Sequence, residues 1–131
     1  MYKVVVVEDE SMVRKGIILT IDWSALDCVV VGDAANGEEG VELVDRLKPD
    51  IVVSDVKMPR MDGVEMIEQL RKQGCKAKFI ILTAYSDFKY AQSALRLGVS
   101  DYLLKPLKDG ELEGAVRKIL SVVEVGTTQA E

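Results

Sequence analysis

Five residues have types and positions that suggest chemistry: Glu8, Asp9, Asp55, Thr83 and Lys105. Each follows a short apolar run: VVVV before Glu8 and Asp9, IVVS before Asp55, FIIL before Thr83, YLL before Lys105. A lone carboxylate at the tip of a buried run is costly without a partner or a task. Three carboxylates brought together repel one another unless a cation sits among them. The chain has no histidine, and its two cysteines, Cys28 and Cys75, form no C-x-x-C pair, which argues against a zinc site and points to a hard, oxygen-bound ion. Few protein carboxylates with open positions suit magnesium. Lys105 would add a fixed ammonium and Thr83 a hydroxyl donor. A cleft so equipped is suited to a phosphoryl group. A carboxylate such as Asp55 can itself be the nucleophile, forming an acyl phosphate.

Each residue also has a plainer reading. Glu8 and Asp9 could serve only the N-terminus of the helix that follows. Thr83 could be a strand-end turn residue, Lys105 a solvated lysine and Asp55 a loop cap. What favours a site is their joint placement, each just past a separate apolar run.

The elements that must position them follow from patterning. Val4 to Val7, Val29 to Val31, Ile51 to Val53, Phe79 to Leu82 and Tyr102 to Leu104 are continuous apolar runs, as in parallel strands buried on both faces. Helical spacing lies between them. It is carried by Val13, Ile17 and Ile21, then by Val41, Val44 and Leu47, with Pro49 stopping the second helix. Asp62 with Glu65 makes a capping box before Val64, Ile67 and Leu70, and Gly74 fits the exit. Asn36 with Glu39 opens the second helix in the same way. Phe88, Ala91 and Leu95 mark a fourth helix ending at Gly98. Leu112, Val116, Ile119 and Val123 mark a fifth, capped by Asp109. Trp23 is expected to pack at the end of the first helix.

Strict βα alternation predicts an α/β fold: a flavodoxin-like, doubly wound (βα)5 domain with a five-stranded parallel sheet in the order 2-1-3-4-5. In such sheets ligands bind beyond the carboxyl ends of the strands, which is where the five residues fall. The 131 residues suit one domain, expected over 1–124, with 125–131 as a flexible tail or the start of a linker. Composition, at 48% hydrophobic and 30% charged, is that of a globular chain. The net charge of -5 argues against a general nucleic-acid surface. The opening MYKVVVVEDE is too short in apolar residues for a signal peptide, and no segment could span a bilayer, so no membrane association and a cytoplasmic location are expected.

The motifs VVVVEDE, PDIVVSDVKMPRMDG, IILTAYSD and GVSDYLLKPL together resemble the receiver domain of two-component response regulators, over residues 3 to about 123. The resemblance implies that Asp55 accepts a phosphoryl group from a sensor histidine kinase. It implies magnesium held by Glu8, Asp9, Asp55 and the main-chain carbonyl of Lys57. Thr83 and Lys105 would contact the phosphoryl group, and Thr83 and Tyr102 would act as the switch. The Lys105–Pro106 bond would be cis. The output surface would be that of the fourth helix, fifth strand and fifth helix, with a homodimer on phosphorylation. Glu8 stands where many members have Asp, which leaves a water-mediated metal contact open. Lys57 and Tyr85 occupy variable positions that tune phosphoryl lifetime.

Two longer stretches, TIDWSALDCVVVGDAANGEEGVELV and AYSDFKYAQSALRLGVSDYLLKP, are similar to receivers joined to AraC-type helix-turn-helix domains. DNA binding, and with it transcriptional control, is therefore expected only through a C-terminal effector domain outside this chain. The expected role is a phosphoacceptor switch that assists its own phosphorylation and dephosphorylation, not an enzyme. Three rivals remain. A phosphohydrolase with an aspartate nucleophile would want an acid two residues after Asp55, where Lys57 stands. A cofactor-binding module would want a phosphate-cradling loop where EDESM stands. A receiver-like module could bind partners without phosphorylation.

Overall fold

The structure, a computed structural model, describes residues 1–130, except for the side chains of Tyr85, Phe88, Ala91 and residues 123–130. Strands and helices alternate throughout: β1 (Tyr2–Val7), α1 (Ser11–Thr20), β2 (Cys28–Ala34), α2 (Gly37–Leu47), β3 (Ile51–Asp55), α3 (Gly63–Lys72), β4 (Lys78–Thr83), α4 (Phe88–Arg96), β5 (Asp101–Leu104) and α5 (Glu111–Ala130). All strand pairs are parallel, and the sheet order is β2-β1-β3-β4-β5. The predicted flavodoxin-like order is the observed one. No helix among the described residues is long and apolar enough to cross a membrane.

Side-chain alternation along the strands builds two apolar layers. Val4, Val6, Ile51, Val53, Ile80 and Leu82 face one layer, completed by Ile17 of α1 and by Leu112, Val116 and Ile119 of α5. Val5, Val7, Val52, Phe79 and Ile81 face the other, which α2, α3 and α4 cover through Val44, Ile67, Leu70 and Ala94. Full burial on both faces holds for the central strands β1, β3 and β4. It does not extend to the edges. β5 is half-buried and Leu104 is exposed, and in β2 full burial is kept only at Cys28 and Ala34, because an edge strand lacks a neighbour on one side.

Local chemistry explains most helix ends. Asp62 accepts the Glu65 N–H at 2.8 Å, and the Glu65 carboxylate accepts the Asp62 N–H at 3.2 Å, the expected box. Asn36 accepts the Glu39 N–H, but the Glu39 carboxylate reaches back to the Ala35 N–H instead. Gly74 and Gly98, at φ +83° and +81°, take the left-handed exits of α3 and α4. α2 ends at Leu47, with Lys48 left-handed ahead of Pro49.

The fourth helix and its Gly98 exit form as expected; within it Leu95 is exposed and Ala94 is buried among the described side chains. One expectation fails. Asp109 lies in a turn ahead of α5; the side-chain bond at that end is made by Glu111, which accepts the Lys108 N–H at 2.9 Å. Trp23 is buried as expected, although α1 ends three residues before it, and its ring N–H donates to the Ile17 carbonyl. The expectations for Tyr85, Phe88, Ala91, Val123 and the 125–131 tail fall on side chains, and for Glu131 on backbone, outside those described.

Candidate functional site

The site lies at the carboxyl ends of β1, β3, β4 and β5. Glu8 directly follows β1 and is fully buried. Asp55 is the last residue of β3 and is 5% exposed. Asp9 is exposed beside them. One carboxylate oxygen from each of these three residues lies within 4.8 Å of the others. Lys105, just past β5, ties the cluster together: its ammonium donates to Glu8 Oε1 and to Asp55 Oδ2, each at 2.8 Å. The peptide bond after it, to Pro106, is cis.

Burial pushes the Glu8 carboxyl up to about 8; the neighbouring Asp55 carboxylate adds to the rise, and Lys105 pulls the other way. Burial likewise works against the Lys105 charge, but the bonds to Asp55 and Glu8 outweigh it, so its pKa rises. The second Glu8 oxygen, Oε2, is buried and has no hydrogen-bond partner. Such an orphaned acceptor costs about 1–3 kcal/mol, so it calls for an explanation. A hard cation fits: three carboxylates converge, every donor is oxygen, and one buried oxygen is unsatisfied. Helix capping does not account for these acids, since the N-cap of α1 is Glu10, with no side-chain cap bond.

Thr83 ends β4 and is fully buried; its hydroxyl donates to the Ala84 carbonyl at 3.1 Å. Its own carbonyl accepts the Lys105 N–H at 2.8 Å, which links the β4 and β5 ends. Tyr102 is half-buried against the layer that α2, α3 and α4 cover. Lys57 sits in the loop after β3 with an exposed side chain.

That loop is held against its neighbours by close approach. A Cβ on Gly63 would collide with the Asp55 carbonyl, and one on Gly37 would collide with the Met61 carbonyl. Instead Gly63 N–H donates to the Val56 carbonyl at 2.7 Å, and Gly37 N–H donates to Met61 at 3.0 Å. Sequence reasoning missed two residues here. Arg14 donates from Nη1 to the Glu8 carbonyl at 2.7 Å and from Nε to Asp33 Oδ2 at 2.8 Å. The strand-end rule that singled out Asp55 would have found Asp33 near the end of β2, had it been applied there.

Comparison with known proteins agrees with this geometry. The family model described as the response regulator receiver domain matches residues 4–117. The uncharacterized transcriptional regulatory protein YesN of Bacillus subtilis is 36% identical over 121 residues, covering 92% of this chain and 33% of that one. The transcriptional regulatory protein HptR of Staphylococcus aureus is 34% identical over 113 residues, 86% of this chain and 44% of that one. The chain thus spans less than half the length of these relatives. Among solved structures, the REC domain of AraT, a response regulator from Geobacillus stearothermophilus, superposes with a TM-score of 0.90 at 38% identity, covering 96% of this chain and 98% of that one. A two component transcriptional regulator AraC from Clostridium phytofermentans gives 0.84 at 29% identity, with all of both chains covered. The matched span holds every residue of the acid, hydroxyl and lysine cluster, and the chain belongs to the response regulator receiver domain family, whose members are signalling switches.

Proposed function

We propose that this receiver domain accepts a phosphoryl group on Asp55 from a sensor histidine kinase and uses it to switch an output surface. The observation that supports this best is the buried meeting of Asp55, Glu8 and Lys105, with one Glu8 oxygen left unpartnered. In the proposed reaction an Asp55 oxygen bonds to phosphorus while the bond from phosphorus to the kinase's imidazole nitrogen breaks. The nitrogen leaves with the bonding pair. Glu8, Asp9, Asp55 and the Lys57 main-chain carbonyl would hold magnesium, which when bound offsets repulsion between carboxylate and phosphoryl oxygens.

Lys105 is the mobile counter-charge. In the resting state its ammonium donates to both Asp55 and Glu8. After transfer it pairs with a phosphoryl oxygen, and the Thr83 hydroxyl turns from Ala84 to donate to another. Movement of Thr83 makes room for Tyr102, and the surface of α4, β5 and α5 changes its partner preference, toward a homodimer. The output is transcriptional control through a DNA-binding effector domain beyond residues 1–124, with residues 125–131 leading toward it; for the transcriptional output alone, the printed names of YesN and HptR give support. The domain works in the cytoplasm as a switch that assists its own phosphorylation and dephosphorylation, not as a turnover enzyme.

The test is intact-mass measurement after incubation with magnesium and acetyl phosphate. One alkali-labile phosphoryl group is expected, dependent on magnesium and absent in Asp55→Asn. No adduct from acetyl phosphate or from a cognate kinase would refute the phosphoacceptor reading. Sustained phosphoester turnover without an adduct would point to a phosphohydrolase.

A further inference from the structure

β2 carries one residue too many for its pairing with β1. Val4 opposes Val30, but Val5 opposes Gly32, so Val31 is the extra residue. The consequence lies two positions on. Val4 and Val6 face the layer covered by α1 and α5, and Val5 and Val7 face the other. Uninterrupted pairing would set Gly32 beside Val6. The extra residue sets Asp33 there instead, on the face that α1 covers. Irregularities of this kind re-aim side chains, and here the re-aimed carboxylate meets Arg14.

Arg14 then reaches the site. Its side chain is 17% exposed, against 46% for Asp33. One edge of the guanidinium is held by Asp33, and Nη1 donates to the Glu8 carbonyl. The Glu8 N–H donates to the Ala34 carbonyl at 3.0 Å. Both peptide groups of Glu8 are therefore fixed, one by β2 and one by Arg14 of α1. The Glu8 carbonyl belongs to the same planar peptide as the Asp9 N–H, so holding it sets the direction in which Asp9 leaves the strand. Asp33 neutralises the guanidinium, so Arg14 acts through geometry more than through its field.

We propose that Arg14, oriented by Asp33, is a positioning residue for the divalent-cation site: it locks the Glu8–Asp9 peptide so that both acids converge on Asp55. This inference rests on the metal-site reading proposed above.

The experiment is a magnesium titration of the full chain by calorimetry, paired with acetyl phosphate labelling across magnesium concentrations. Arg14→Ala is expected to weaken magnesium binding about tenfold, as loss of a partner behind a metal ligand typically does. Its labelling rate should recover to the wild-type level at saturating magnesium. Asp33→Asn should weaken binding in the same direction, by less. Arg14→Lys keeps the charge but loses the fork, and should fall between wild type and Arg14→Ala. In EDTA, the Glu8 carbonyl carbon and Asp9 amide nitrogen resonances should move in Arg14→Ala and stay in place in the exposed control Lys15→Ala. Wild-type magnesium affinity in Arg14→Ala and Asp33→Asn, with the parent protein binding normally, would overturn the inference alone. A parent protein that binds no magnesium would overturn the site reading and this inference with it. Should Arg14→Ala fail to fold, Arg14→Lys and Asp33→Asn carry the same comparison.

Discussion

Glu8 is the residue that decides how the site behaves without a cation. Its carboxyl is raised to about 8 from an ordinary 4.5, by burial first and then by the Asp55 carboxylate beside it. Between those values the folded protein keeps a proton that the unfolded chain has released. Stability in EDTA should therefore be complete below about pH 4.5 for this group and fall as pH rises toward 8. Glu8→Gln should flatten that slope; parallel denaturation profiles for the two proteins would show that Glu8 is not its source. Magnesium should stabilise the wild type more at pH 8 than at pH 6, since a deprotonated Glu8 is the better ligand, and the gain should vanish in Asp55→Asn combined with Asp9→Ala. The carboxylates, hydroxyl and lysine were legible in the sequence because each ends an apolar run and the fold class fixes where such ends meet. The orphaned Oε2 was not, since burial of one oxygen of a carboxylate depends on packing from several elements. Arg14 was hidden for a similar reason: an arginine in a helix gives no sign of which carbonyl it will reach.

At the level of elements, the loops under the site are built by backbone contact, and glycine substitutions should sort by it. Gly63→Ala places a methyl on the Asp55 carbonyl, so a loss of about 1–3 kcal/mol or more is expected in denaturant melts, as for other overpacked sites. Gly16→Ala, within α1 with nothing near its added Cβ, should instead gain about 0.5–1 kcal/mol. Equal effects at the two positions would contradict the contacts described. The strands and the Asp62–Glu65 box were legible because they rest on local chemistry. The buried position of α4 was not: Ala94 and Leu95 are adjacent, and of the two it is the smaller that is buried. The bulge in β2 was also invisible, because VVVG reads as an unbroken strand whichever residue is the extra one.

Across the whole molecule, the sheet separates two apolar layers that share only strand backbone. Substitutions in different layers should then act independently. Ile67→Val under α3 and Ile119→Val on α5 should each cost about 0.5–1.5 kcal/mol. The double variant should match their sum within about 0.5 kcal/mol. A larger coupling would mean that the sheet transmits strain between layers. The lysine bridge across the strand ends has a different kind of consequence. Lys105 already holds Glu8 and Asp55 together, so the resting fold supplies its own counter-ion. On the proposed reading, neither magnesium alone nor a phosphodonor alone completes the change: the first leaves Asp55 unmodified, and the second meets an Asp55 oxygen still held by Lys105 and an acid cluster that one ammonium only partly offsets. The site then works as a two-input gate, silent unless cation and phosphoryl group arrive together.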